Sequence, residues 1–145
     1  MIPREIYLQQ LRQFIDKPQI KILTGIRRSG KSSVLLLLKA ELLLRQVEEA
    51  QIIHLNFESF EHIALRTAES LYSFIKQQIT TDKPYYFLLD EIQEVIHWEK
   101  VVNSFLVDFK ADVYLTGSNS HLLSSELATY LAGRYVEIPI YTLSF

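Results

Sequence analysis

The chain has 145 residues, 48% of them hydrophobic, and a formal charge of −2 at pH 7. That length and apolar share suit one domain with a sizeable buried core and exclude a disordered chain, and the small negative charge excludes a global positive field that would recruit nucleic acid or anionic lipid, leaving only local patches to do so. With no cysteine there is no disulfide framework and no thiolate metal site, and the opening MIPREIYLQQ lacks the apolar core of a secretion signal, so a cytoplasmic location is expected.

In chain order, QIKILTG at 19–25 is a β-rich run that follows Pro18 and stops at a glycine, which predicts a first strand. A helix is predicted from about Lys31 to Val47. It contains VLLLLKAELLL at 34–44, which is too short for a membrane span and is interrupted by Lys39 and Glu41; nine apolar residues in eleven predict a helix buried on most sides. QIIHLNFES at 51–59 alternates Ile53, Leu55 and Phe57 with His54, Asn56 and Glu58, the pattern of an edge strand with one face less buried. TAESLYSFIKQQI at 67–79 has helical apolar spacing.

Pro84 then opens YYFLLDE, five unbroken apolar residues followed by two acids, as in a strand of a parallel sheet covered on both faces. An amphipathic helix is predicted over 98–109, a strand within ADVYLTGSNS at 111–120, and a helix over 120–133 with Ser120 as its cap and Gly133 as its stop. RYVEIPIYTL closes the series as a strand that Pro139, which has no N–H to donate, confines to an edge. Five strands alternating with helices predict a three-layer α/β domain around a mostly parallel sheet.

Chemistry concentrates in GIRRSGKSS at 25–33, where Gly25, Gly30, Lys31 and Ser32 have the spacing G-x-x-x-x-G-K-[ST], the Walker A pattern. The glycines let a loop curl so that successive backbone N–H groups face phosphate oxygens, and the following helix adds its partial positive charge. A triphosphate is the expected ligand: the loop Gly25, Ile26, Arg27, Arg28, Ser29, Gly30, Lys31, Ser32 and Ser33 cradles it, Lys31 reaches the β and γ phosphates, and the Ser32 hydroxyl ligates Mg²⁺. Arg27 and Arg28 sit at variable loop positions, either touching phosphate, a neighbouring subunit or nucleic acid, or simply solvated.

Asp90 ends the buried strand where it would surface beside the cradle, placed to hold Mg²⁺ through its water shell. Glu91 follows directly, placed to polarise a water for in-line attack on the γ phosphate, which favours hydrolysis over transfer to an acceptor. In TGSN at 116–119, Ser118 or Asn119 either senses the γ phosphate and orients the water or forms a turn and caps the next helix. Arg134 is either an arginine finger that stabilises charge on the transferring group or a cation favoured by a helix C-terminus. His54, His62, His97 and His121 have no paired ligand spacing, and Trp98, Tyr85, Tyr86 and Phe87 read as core. Glu58 ends the second strand as an ordinary acid or one that approaches the nucleotide.

IKILTGIRRSGKSSVL, LLDEIQEVIHWEK, VYLTGSNSHLLSSE and LAGRYVEIPIYTLSF, in this order and over almost the whole chain, resemble the bacterial and archaeal AAA-type P-loop ATPases related to the STAND-like archaeal ATPases. The resemblance implies a P-loop NTPase core with strand order 5-1-4-3-2, Gly25 to Ser33 as Walker A, Asp90 and Glu91 as Walker B, Ser118 or Asn119 as the polar sensor, and ATP rather than GTP as ligand. Arg134 falls where AAA proteins often place a finger reaching into a neighbour's site, which implies a homo-oligomer. Family members usually continue into a C-terminal domain with winged-helix or nuclease-like character, so residues 1–145 are expected to be the ATP-binding N-terminal part of a longer protein.

The expected function is Mg²⁺-dependent hydrolysis of ATP to ADP and phosphate, driving or gating a partner domain. The alternative is a nucleotide-gated module with negligible turnover, acting on a partner or on nucleic acid through a further domain. A kinase would need an acceptor pocket and an arginine-rich lid, for which the four residues between Arg134 and Pro139 leave no room.

Overall fold

The computed structural model of the chain describes residues 3–25, 29–117, 131 and 134–141. Its elements are helix α1 (Pro3–Arg12), strand β1 (Ile20–Thr24), helix α2 (Lys31–Leu44), strand β2 (Ile52–Asn56), helix α3 (Ala68–Gln78), strand β3 (Tyr85–Asp90), helix α4 (Trp98–Asp108), strand β4 (Ala111–Gly117) and strand β5 (Tyr135–Pro139). Short 3₁₀ turns at Glu49–Gln51, Phe60–Leu65 and Ile92–Glu94 link some of them.

The strands form one sheet in the order β2-β3-β4-β1-β5, all pairs parallel. This is the expected 5-1-4-3-2 order of a P-loop NTPase, and β2 and β5 are the edges, as the alternation at 51–59 and Pro139 predict. Pro139 ends β5 opposite Thr24, where its missing N–H costs the ladder least.

Side-chain alternation divides the core between the two faces of the sheet. On one face Ile22, Leu55, Phe87, Leu89, Val113 and Leu115 pack with Leu71 and Ile75 of α3 and Val102 and Phe105 of α4. The Phe87 and Phe105 rings meet edge to face at 5.2 Å, a geometry that adds to simple burial. On the other face Leu23, Tyr86, Leu88, Tyr114 and Ile138 pack under Leu8 and Leu11 of α1 and Val34, Leu35, Leu38 and Leu42 of α2. All six residues of β3 are buried, which explains its unbroken apolar sequence.

Helix α2 departs from the expectation of burial on most sides. It buries the single stripe Lys31, Val34, Leu35, Leu38 and Leu42, while Leu36 is 58% and Leu44 79% exposed. The reason is its place in an outer layer: α2 has the sheet beneath it and α1 beside it, so one stripe with Leu37 packed at its margin suffices, and the exposed Leu36, Leu43 and Leu44 serve helix propensity rather than packing. Helix α1 is not among the elements that the sequence predicts, and it lays Leu8 and Leu11 on the same core.

A buried polar cluster holds the strand starts. Lys21, fully buried, donates to the Asp112 carboxylate and to the Lys17 carbonyl at 2.7 Å, and Asp112 also accepts from the Tyr114 hydroxyl at 2.6 Å and the Asp16 N–H at 2.8 Å. The Tyr86 hydroxyl donates to Asp16 at 2.7 Å, so the link between α1 and β1 is pinned to β3 and β4. Burial pushes the Lys21 ammonium down and the Asp112 carboxyl up from their ordinary pKa values, and the shared hydrogen bonds offset that desolvation. This cluster lies at the end of the sheet opposite the glycine-rich loop.

Candidate functional site

The carboxyl ends of the parallel strands gather the sequence-predicted groups along one edge. The register pairs Leu23 with Thr116, Thr24 with Gly117, and Asn56 with Asp90. Parallel pairing therefore brings the loop after β1 and the acids after β3 to the same side of the molecule, although some sixty residues separate them in sequence.

Gly25 leaves β1 with φ +149°, and a Cβ built on it would stand 2.4 Å from the Ile140 carbonyl oxygen and 2.8 Å from Ser29 Oγ. The Ile140 N–H also donates to the Thr24 carbonyl at 2.7 Å, which fixes the backbone beyond β5 against the loop. Gly25→Ala is therefore expected to destabilise the fold by about 2 to 4 kcal/mol, from strain and overpacking together. A lowered denaturation midpoint at unchanged slope checks it; an unshifted midpoint would mean that the loop and Ile140 move apart freely.

Gly30 takes the left-handed region at φ 103° and ψ 9° and stands at the N-cap of α2, where it makes no side-chain hydrogen bond of its own. Lys31 is almost wholly buried, its Nζ donating to the Gly25 carbonyl at 2.7 Å. Ser29 Oγ is buried and meets no hydrogen-bond partner among the described residues. A tight glycine contact, an orphaned hydroxyl, a helix N-terminus and an inward lysine together fit a phosphate group.

Ser32, one residue into α2, donates from Oγ to Asp90 Oδ2 at 2.6 Å. Thr116 donates from Oγ1 to the other oxygen, Asp90 Oδ1, and accepts the Glu91 N–H at 2.9 Å. Glu91 itself stands in the left-handed region at φ 59° and ψ 54°, which costs an L-residue on the order of 1 to 2 kcal/mol, and Gln93 Nε2 donates to its Oε1 at 2.7 Å. No group of three or more His, Asp or Glu side chains able to ligate a metal gathers among the described residues. A serine hydroxyl and one carboxylate beside a phosphate cradle nevertheless suit Mg²⁺, which keeps several waters and takes one or two protein ligands plus phosphate oxygens.

Of the residues singled out from sequence, the fold brings together Gly25, Ser29, Gly30, Lys31, Ser32, Asp90 and Glu91, with Ser33 next in the first turn of α2. Ile26, Arg27, Arg28, Ser118 and Asn119 lie outside the described residues, as does the helix expected over 120–133 apart from Leu131. Arg134 sits elsewhere: its carbonyl accepts from the Ile20 N–H at the start of β1, and its guanidinium donates to Asn103 of α4 at 2.5 Å. Four strand residues, about 13 Å of rise, separate that level from Thr24, so Arg134 and the loop of the same chain occupy opposite ends of the sheet. His54 is half-buried on β2, and burial lowers its pKa. Thr116 and Gln93 are not among the residues that the sequence singles out; the fold adds them to the site through the Thr116–Asp90, Glu91–Thr116 and Gln93–Glu91 hydrogen bonds.

Residues 17–145 match a family model described as an AAA domain. An uncharacterized protein of Haemophilus influenzae is 49% identical over 146 residues, covering all of this chain and 36% of the relative, and one of Methanocaldococcus jannaschii is 32% identical over 127 residues, covering 88% and 27%. The chain thus spans about a third of the length of the curated relatives it matches. Among solved structures, the Aeropyrum pernix ORC1 protein in complex with DNA superposes with a TM-score of 0.66 at 14% identity, over 97% of this chain and 46% of that one. Caenorhabditis elegans PCH-2 gives 0.56 at 17% identity, over 95% and 38%; likenesses this distant speak for the fold alone. With its sheet order, its loop and its family match in agreement, the chain belongs to the AAA domain family and has the fold of an AAA-type P-loop ATPase.

Proposed function

We propose that this domain binds ATP with Mg²⁺ and hydrolyses it to ADP and phosphate, and that the cycle drives or gates further parts of a longer protein. The observation that carries the reading is the Ser32–Asp90 hydrogen bond at 2.6 Å, which joins the first turn after the glycine loop to the first of two acids at the end of a buried strand. Lys31 swings its ammonium from the Gly25 carbonyl to the β and γ phosphates, and the N-terminus of α2 adds its partial positive charge toward the same anion. Ser32 and Asp90 would hold Mg²⁺, which when bound would supply charge neutralisation for the phosphates. The Glu91 carboxylate takes a proton from water as the water oxygen bonds to Pγ and the Pγ–O bond to ADP breaks.

A second reading, a nucleotide-gated module with negligible turnover, is favoured by the position of Arg134 alone. Held to Asn103 at the far end of β5, it serves as a finger only for the loop of another copy, so an isolated chain lacks that charge stabilisation. Either form is compatible with action on nucleic acid by a further domain; the DNA in the solved ORC complexes belongs to those proteins. Among the described residues no helix is long and apolar enough to cross a membrane.

Phosphate release from Mg-ATP at increasing protein concentration separates the readings. A specific rate that climbs with concentration is expected for hydrolysis with Arg134 supplied by a second copy. ATP binding with no release at any concentration contradicts hydrolysis by this chain and leaves the gated module.

A further inference from the structure

We propose that Thr116 is a positioning residue that couples the metal-binding carboxylate to the water-polarising glutamate. The inference rests on the ATPase reading above and adds a residue to it. Thr116 is fully buried as the penultimate residue of β4, and its one hydroxyl is used twice. The proton goes to Asp90 Oδ1, and a lone pair receives the Glu91 N–H at 2.9 Å. With Ser32 donating to Oδ2, each Asp90 oxygen accepts one hydroxyl proton, so the carboxylate plane is fixed from two elements that are distant in sequence.

The second bond matters for a different reason. Glu91 is a non-glycine residue in the left-handed region, a conformation that persists only where its surroundings hold it. The Thr116 oxygen provides that hold on the backbone, and Gln93 steadies the carboxylate. Loss of the hydroxyl therefore frees two consecutive acids at once: Asp90 to rotate away from the metal position, and Glu91 to relax toward right-handed backbone and withdraw its carboxylate. A valine has nearly the shape of threonine without either hydrogen bond, while a serine retains both.

The test compares wild type, Thr116→Val and Thr116→Ser in equilibrium binding of ADP with and without Mg²⁺, and in hydrogen exchange at the Glu91 amide. In wild type and T116S, Mg²⁺ is expected to tighten ADP binding and the Glu91 amide to be protected. In T116V, binding without Mg²⁺ is expected to stay within about twofold of wild type, the Mg²⁺ enhancement to fall by about 10-fold, in line with one charged hydrogen bond, and the amide to exchange at least about 10-fold faster. A T116V protein that keeps the full Mg²⁺ enhancement or the Glu91 protection overturns the role of Thr116. Equal weakening of ADP binding with and without Mg²⁺ also overturns it, because that is the mark of general damage to the fold. If the wild type binds no nucleotide under either condition, the ATPase reading fails first and takes this inference with it.

Discussion

Glu91→Gln is expected to lower phosphate release from Mg-ATP by about 10²- to 10⁴-fold, the usual contribution of a positioned general base, with Mg-ATP affinity held within about threefold. The substitution is close to isosteric, so it isolates the proton-accepting role. The Glu91 N–H that binds Thr116 is backbone and survives, and a glutamine carbonyl still accepts from Gln93. Turnover measured beside the wild type, with binding measured separately, separates chemistry from affinity. Weakened binding at unchanged maximal rate would move Glu91 from the chemical step to ligand recognition. Release that is equal in both proteins would assign the activity to another residue or to a contaminant.

The second large effect is expected on binding. Lys31→Met should weaken ATP affinity by about 10- to 150-fold, since hydrogen bonds to charged groups are worth roughly 1.5 to 3 kcal/mol and each 1.4 kcal/mol is tenfold. Methionine keeps the buried stem, which is 96% removed from solvent, and deletes only the ammonium that now rests on the Gly25 carbonyl. Thermal unfolding without nucleotide controls for the loss of that internal bond. Affinity for ATP that is insensitive to the change would mean that phosphate is held elsewhere, and the loop would then be a turn rather than a cradle.

Much of the fold was legible because the strands announce themselves. The unbroken YYFLL at 85–89 reads as buried on both faces and is, Pro139 marks an edge, and the alternation within 51–59 marks the other. The leucines of α2 misled because hydrophobicity counts residues and not neighbours: a helix with one sheet and one adjacent helix cannot bury a full circumference, whatever its composition. Helix α1 carries a readable signal in Pro3 at its first turn and in the helical spacing of Leu8 and Leu11.

The glycine loop and the paired acids were legible for the same local reason, since each is a short run whose spacing implies its chemistry. Thr116 was not, because its importance depends on which strand lies beside which and in what register. Leu89 opposite Leu115 sets Asp90 level with Thr116, and no local pattern records that. Gln93 is legible only once Glu91 is known to be left-handed, which turns the chain so that residues 91 and 93 meet. Arg134 is the converse: its sequence position leaves a finger and a helix-end cation both open, and only parallel pairing from Ile20 to Thr24 shows that it lies at the far end of the sheet from the loop of its own chain.

The function proposed above requires residues 25–33, with Asp90, to hold the phosphates of a Mg²⁺-bound nucleotide. Hydrogen exchange of the chain with and without Mg-ATP tests it most directly, because the expected ligand contacts are backbone N–H groups. Slowed exchange confined to 25–34 and to the segment around 90–91, and abolished in Lys31→Met, is the predicted result. Nucleotide-dependent protection elsewhere, or none at any ATP concentration, would contradict it.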